Sequence, residues 1–273
     1  MKKTIFITGA STGIGKATAL FFVDKGWQVA ATMRNTDGHE DLQGSPTLKL
    51  YTLDVTDAKS VHNAVEAAIA DFGCIDVLLN NAGYGLVGPL ETAGADTVFK
   101  QFDTNLFGVI RTIQEVLPVM KKQKSGVIIN VTSIGGLVGL PFNSLYHATK
   151  FGLDGLSESL KYELKPFGIQ VKVVAPGGVL TDFAGRSLHN TIPKDQHTDY
   201  DGALAKVWAA FESGTDNYSS AELIAGIIYD AATDGTDRLR YLAGKDAEAL
   251  YAAWKQLDNE SFFNMVSERF GLA

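Results

Sequence analysis

Two spacings of apolar side chains alternate along the first 180 residues. Short β-rich runs, apolar almost throughout, occupy Thr4–Thr8, Gln28–Met33, Thr47–Leu53, Ile75–Asn80, Gly126–Thr132 and Ile169–Val174. Between them, residues 14–25, 57–72, 96–122 and 144–165 repeat apolar positions every three or four residues, the spacing of one helix face. Strands that are apolar on both sides are buried on both sides. Strand and helix in regular alternation then imply right-handed crossovers and a parallel sheet covered on each face. The pattern predicts an α/β fold, a doubly wound parallel sheet in a three-layer α/β/α arrangement. No linker-like stretch divides it, so a single domain is expected.

After "VVAPGGVLTDF" the rhythm stops. A helix is expected at 201–213, with Leu204, Val207, Trp208 and Phe211 on one side. A helical segment near 219–233, a strand around Arg240–Leu242 and helices at 245–257 and 259–268 follow. The chain is thus expected to comprise a core at 1–182, an irregular apolar insertion at 183–216 that covers a pocket, and C-terminal elements at 217–273.

Composition narrows the function classes. With 273 residues, 45% of them hydrophobic and 20% charged, the chain buries a large core. Its formal net charge of -7 argues against a nucleic-acid partner, which needs a basic surface. No stretch approaches the roughly 20 apolar residues that cross a bilayer, so no membrane partner is expected. The apolar run after Lys2 and Lys3 is too short for a signal peptide. A lone cysteine, Cys74, cannot form an internal disulfide, which points to a reducing, cytoplasmic setting. His39, His62, His189 and His197 have no metal-ligand spacing with acids or Cys74, so no metal site is expected.

The first strand runs into "TGASTGIGKA", with glycines at 9, 13 and 15 and a helix behind them. Gly9 permits a tight turn, Gly13 lets a pyrophosphate approach the backbone, and Gly15 allows close helix–strand contact. The helix N-terminus offers unpaired N–H groups and the positive end of its dipole. Ser11, Thr12 and Ile14, between these glycines, belong to the same expected phosphate cradle. One strand later, "VAATMRN" places Met33 where a site for NAD usually holds an acid, and Arg34 directly after it. A guanidinium without a competing carboxylate suits a ribose 2′-phosphate, so NADP(H) is favoured over NAD(H).

In "NSLYHATKFGLDG", Tyr146 and Lys150 stand four residues apart and share one helix face. An isolated Y-x-x-x-K is most simply a solvated face. Here it accompanies "TGASTGIG" at 8–15, "LDVT" at 53–56, "NNAG" at 80–83, Asn105, Ser133 and "PGGVLTD" at 176–182. In this order and at this spacing the chain resembles the compact branch of the short-chain dehydrogenase/reductase family. The resemblance implies a Rossmann-type catalytic domain, hydride transfer between a nicotinamide and a carbonyl or secondary alcohol, and a role for each matching residue. Tyr146 matches the general acid/base, and Lys150 the residue that binds the nicotinamide ribose and lowers the tyrosine's pKa. Ser133 matches the donor to the substrate oxygen, and Asn105 the residue that holds a water leading from Lys150 to solvent. Asp54 and Val55 match adenine contacts. Asn81, Ala82 and Gly83 line the adenosine side, and Pro176, Gly177, Val179 and Thr181 face the nicotinamide.

On its residues alone, Asn105 could equally be a polar side chain satisfied by its neighbours. His147, adjacent to Tyr146, points about 100° away around the helix and is excluded as the base. A rival reading is a catalytically silent dinucleotide-binding redox sensor. Such proteins lack the tyrosine, the lysine or the serine, and all three are present here. Phe183, Leu188, Ile192, Trp208 and Phe211, with Leu137, Val138, Leu140 and Phe142 opposite, suggest an apolar substrate. Ala148, Gly152 and Gly155 on one helix permit close approach of a second copy, so a homodimer or homotetramer is expected.

Overall fold

The computed structural model describes residues 2–42, 44–181, 187–192 and 196–273, the Glu40 side chain apart. Seven parallel strands form the central sheet: β1 (Thr4–Ile7), β2 (Gln28–Met33), β3 (Leu48–Thr52), β4 (Val77–Asn80), β6 (Gly126–Val131), β7 (Ile169–Pro176) and β11 (Arg240–Ala243). Their spatial order is β11-β7-β6-β4-β1-β2-β3. The chain starts in the middle, builds outward through β2 and β3, then crosses back to β4 and builds the other way. That reversal lies between β1 and β4. In open α/β sheets, ligands bind beyond the carboxyl ends of the strands at such a point.

Alternate residues of each strand serve opposite faces. Ile5, Ile7, Val29 and Ala31 meet Ala19 and Phe22 of α1 (Gly13–Asp24) and Ile224 and Ile228 of a later helix, Ala221–Thr233. Phe6, Ala30, Leu78 and Ile128 point the other way. They meet Val61 and Val65 of α2 (Ala58–Phe72), Val116 and Met120 of α4 (Gly108–Gln123) and Leu153 of α5 (Ser144–Leu164). All these strand residues are fully buried, which explains why the strands read as continuous apolar runs.

The expected 96–122 helix is two helices, α3 (Ala95–Phe102) and α4, joined by a π-helical turn at Asp103–Phe107. Beyond β7 come α6 (Asp201–Ser213), α7 (the Ala221–Thr233 helix), α8 (Lys245–Gln256) and α9 (Asn259–Arg269). Two short pairs escaped the periodicity: β5 (Gly85–Val87) with β9 (Leu188–Asn190), and β8 (Val179–Leu180) with β10 (Ser219–Ser220). The first pair ties the insertion to the segment after "NNAG".

Candidate active site

The carboxyl ends of β1, β4, β6 and β7 bring most of the expected residues to one edge of the sheet. At β1, Gly9 has φ +69°, and a Cβ there would lie 2.9 Å from Ala82 Cα. A Cβ on Gly15 would strike the Gly9 carbonyl and lie 2.6 Å from Asn81 Nδ2. Both positions therefore require glycine, one for its conformation and one for close approach. The Asn81 amide closes this turn by donating to the Thr8 and Gly9 carbonyls, 3.0 Å each. Thr8, which the sequence reading did not single out, accepts the Asn81 and Ala82 N–H groups on its hydroxyl at 3.0 and 3.1 Å.

Helix α1 begins here with no side-chain cap on Thr12 and no acid in its first turn, so its amino end suits an anion. The segment after β7 approaches from the opposite side. Thr181 Cβ lies 3.4 Å from where a Gly13 Cβ would sit. At the end of β2, Met33 is buried, and Arg34 is exposed with no hydrogen bond or ion pair among the described residues. Lys16 of α1 pairs with Asp41, drawing the segment after Arg34 toward the same helix. Asp54 holds Thr56 through its carboxylate, 2.9 Å to the backbone N–H and 2.7 Å to the hydroxyl. Val55 is buried against Gly108. A helix end with no acid in its first turn, a glycine-lined cradle and a guanidinium with no partner among the described residues fit a dinucleotide.

The reacting end lies between β6 and α5. Ser133 caps the short turn Ile134–Gly136, its Oγ accepting the Gly135 N–H at 3.0 Å. An oxygen that accepts there keeps its own proton for another acceptor. Ser133 is also hydrogen-bonded to Tyr146. Lys150 Nζ is buried, donates to the Val131 carbonyl at 2.9 Å and lies 5.7 Å from the Tyr146 ring centroid.

Burial dominates both titrations. It pushes the Tyr146 phenol up to about 12 and the Lys150 ammonium down to about 8, while the Ser133 bond offsets part of the tyrosine's rise. The lysine was expected to lower the tyrosine's pKa. Burial outweighs the Ser133 hydrogen bond and holds the phenol protonated.

Asn105 occupies the π-helical turn and is buried. Its Oδ1 accepts the Tyr84 N–H at 3.0 Å and its Nδ2 donates to the Tyr84 carbonyl at 2.8 Å. This paired amide fixes the chain directly after Gly83, from within a distorted helical turn of the kind often found at functional sites. A second polar chain runs inward from the site: Asn80 Nδ2 to Asn130 Oδ1 at 2.9 Å, and Asn130 Nδ2 to Ser157 Oγ at 2.9 Å. Two asparagines inside otherwise apolar strands were its visible signal in the sequence.

His147 is no base for the substrate. Its Nδ1 accepts the Leu140 N–H at 3.2 Å, and burial pulls its pKa down to about 4. It pins the 137–142 loop to α5. On that loop Phe142 has a left-handed backbone, φ +58°, and its carbonyl accepts the Gly88 N–H at 2.8 Å. Non-glycine residues held this way cluster at functional sites. A cleft of about 420 Å³, lined by Pro89, Leu90, Phe142, Ser144 and Tyr200 among others, opens beside it.

Of the apolar residues expected around the substrate, Val138 is core instead. It is 2% exposed and packs with Val207, Phe262 and Phe270. Phe211 stacks edge-on against Phe270 at 5.3 Å, whereas Trp208 and Leu188 join Phe142, Val87 and Ile192. Phe183 lies outside the described residues. Among the described residues no group of three His, Cys, Asp or Glu could hold a metal, and no helix is long and apolar enough to cross a membrane.

The sequence model of the short chain dehydrogenase family matches residues 3–191, and the chain belongs to the short-chain dehydrogenase/reductase family, whose members are NAD(P)-dependent oxidoreductases. It is 43% identical over 179 residues to the 3-ketodihydrosphingosine reductase of Bacteroides thetaiotaomicron, covering 66% of this chain and 65% of that one. The crystal structure of a short-chain dehydrogenase from Streptomyces avermitilis superposes with a TM-score of 0.83 at 30% identity, over 98% of this chain and 95% of that one. ElxO with NADP bound superposes with a TM-score of 0.74 at 28% identity, over 89% and 98%.

Proposed function

We propose that the protein is an NADP(H)-preferring carbonyl reductase acting on an apolar ketone, with Tyr146 as the acid. The observation that carries this reading is the meeting of Ser133, Tyr146 and buried Lys150 at the strand edge that also bears the Gly9–Gly15 cradle. Bound at that cradle, the reduced dinucleotide supplies the hydride. Charge then develops on the substrate oxygen, and Tyr146 delivers a proton to it. Ser133 donates a hydrogen bond to the same oxygen and steadies the charge. Lys150, charged below about pH 8, sits beneath the phenol and favours the anion left behind. A phenol held protonated is already in the state that reduction requires.

Arg34 supports NADP(H): it is exposed at the end of β2 with no hydrogen-bond or ion-pair partner among the described residues, and ElxO, a solved structure similar to this chain, carries NADP. Leu90, Phe142 and Tyr200 on the walls of the cleft, which also holds Glu91 and Ser144, support a substrate with an apolar part, as does similarity to a 3-ketodihydrosphingosine reductase. A homodimer is part of the same proposal. Ala148, Phe151, Gly155 and Tyr162 line an exposed stripe of α5, Phe151 and Tyr162 being 46% and 77% exposed. The test is absorbance-monitored oxidation of NADPH and NADH against ketones of graded chain length. Faster turnover of long-chain ketones with NADPH is expected. Tight dinucleotide binding with no turnover of any carbonyl would instead favour the silent sensor.

A further inference from the structure

The loop leaving β7, Pro176–Gly178, is held by a carboxylate from a distant helix. Asp246 lies in the first turn of α8, where an acid ordinarily serves its own helix. Here its Oδ2 accepts the Gly178 N–H at 2.6 Å, across 68 residues of chain. Its Oδ1 is buried and has no hydrogen-bond partner among the described residues. Glycines surround the carboxylate, and each is required there. A Cβ on Gly177 would strike it, and a Cβ on Gly178 would strike the Tyr218 ring. Gly244, at φ +114°, would place a Cβ 2.8 Å from Asp246 Oδ1 and 2.7 Å from Ser219 Oγ. Gly177 N–H is itself fixed to the Ala243 carbonyl at 3.1 Å. A half-paired buried carboxylate is costly, and its one described bond goes to the loop that begins Val179–Thr181. Two consecutive glycines would otherwise leave that loop with more freedom than any other residue pair.

We propose that Asp246 is a positioning residue that fixes the Gly177–Gly178 peptide, and through it Val179–Thr181, in the arrangement that receives the nicotinamide end of the dinucleotide. The proposal rests on the dinucleotide reading of the site and concerns one end of that ligand only. Losing the tether moves the ordering of the loop into the binding step, which weakens affinity for the part of the ligand that the loop meets. The ADP half, held at the Gly9–Gly15 cradle, is unaffected.

The experiment compares dissociation constants of the full-length protein for NADPH and for 2′-phospho-ADP-ribose, which lacks only the nicotinamide ring. Asp246→Ala should weaken NADPH binding about tenfold, the size of one charge-assisted hydrogen bond, and change the fragment's constant by less than about twofold. Asp246→Asn keeps an acceptor oxygen and should recover most of the loss. Should the alanine variant not fold, Asp246→Glu, which keeps the charge but displaces the acceptor, carries the same comparison. An unchanged ratio of the two constants in the variant that folds, or no recovery with asparagine, overturns the proposal. If the unaltered protein binds neither ligand, the dinucleotide reading itself fails, a result distinct from failure of the Asp246 assignment.

Discussion

Acidification sets His147 against its surroundings. The imidazole is 7% exposed and accepts the Leu140 N–H at Nδ1, and burial lowers its pKa from 6.5 to about 4. The unfolded chain takes up a proton near pH 6.5, the folded one only near pH 4. Between those values the unfolded state binds more protons, so stability falls as pH falls. At 1.36 kcal/mol per pH unit, the gap amounts to about 3 kcal/mol. His147→Asn keeps an acceptor for the Leu140 N–H and has nothing to protonate. Urea unfolding at pH 7 and pH 4 measures the difference directly. The parent should lose about 3 kcal/mol more than the asparagine variant over that interval. Equal losses in the two proteins would refute the reasoning, because the acid sensitivity would then come from other groups.

Arg34→Ala should lower kcat/KM for NADPH by about tenfold or more, the loss of a charge-assisted contact to a phosphate, and leave NADH nearly unchanged. An unaltered NADPH:NADH ratio rejects the assignment. For ketone reduction, kcat/KM should stay level below pH 8 and fall above it as Lys150, held down to about 8, loses its proton. A profile still level at pH 10 argues that the lysine charge is not needed. Light scattering at micromolar concentration should give a dimer or larger, and Phe151→Glu on the exposed stripe of α5 should shift it toward monomer. A monomeric parent removes that stripe as an interface.

The sheet was legible because its inner strands, β1, β4, β6 and β7, are almost wholly buried, so each run announced itself without any partner in view. Long-range pairing made the rest invisible. β5 and β9 are three residues each and exist only because Gly85–Val87 meets Leu188–Asn190. The π-helical turn carries an amide pair between Asn105 and Tyr84, which no helical spacing encodes. Lys172 interrupts the apolar run of β7. Its fully buried ammonium is satisfied by Asp234 at 3.0 Å, 62 residues further on.

At the candidate site the residues were nameable from motif spacing, but their electrostatics were not. The pKa of Tyr146 follows from the depth at which α5 holds it, and burial outweighs the Ser133 hydrogen bond. Asp246 read as an ordinary acid near a helix start, and only the fold brings it to Gly178.

Proton delivery by Tyr146 is tested most directly by Tyr146→Phe, which removes one hydroxyl and keeps the ring. NADPH binding, followed by fluorescence, should remain within about threefold of the parent, since the cradle at Gly9–Gly15 is untouched. Single-turnover ketone reduction should fall by about a hundredfold to ten-thousandfold, the contribution of a positioned general acid. Reduction at the parent's rate by a variant that still binds NADPH would contradict the account.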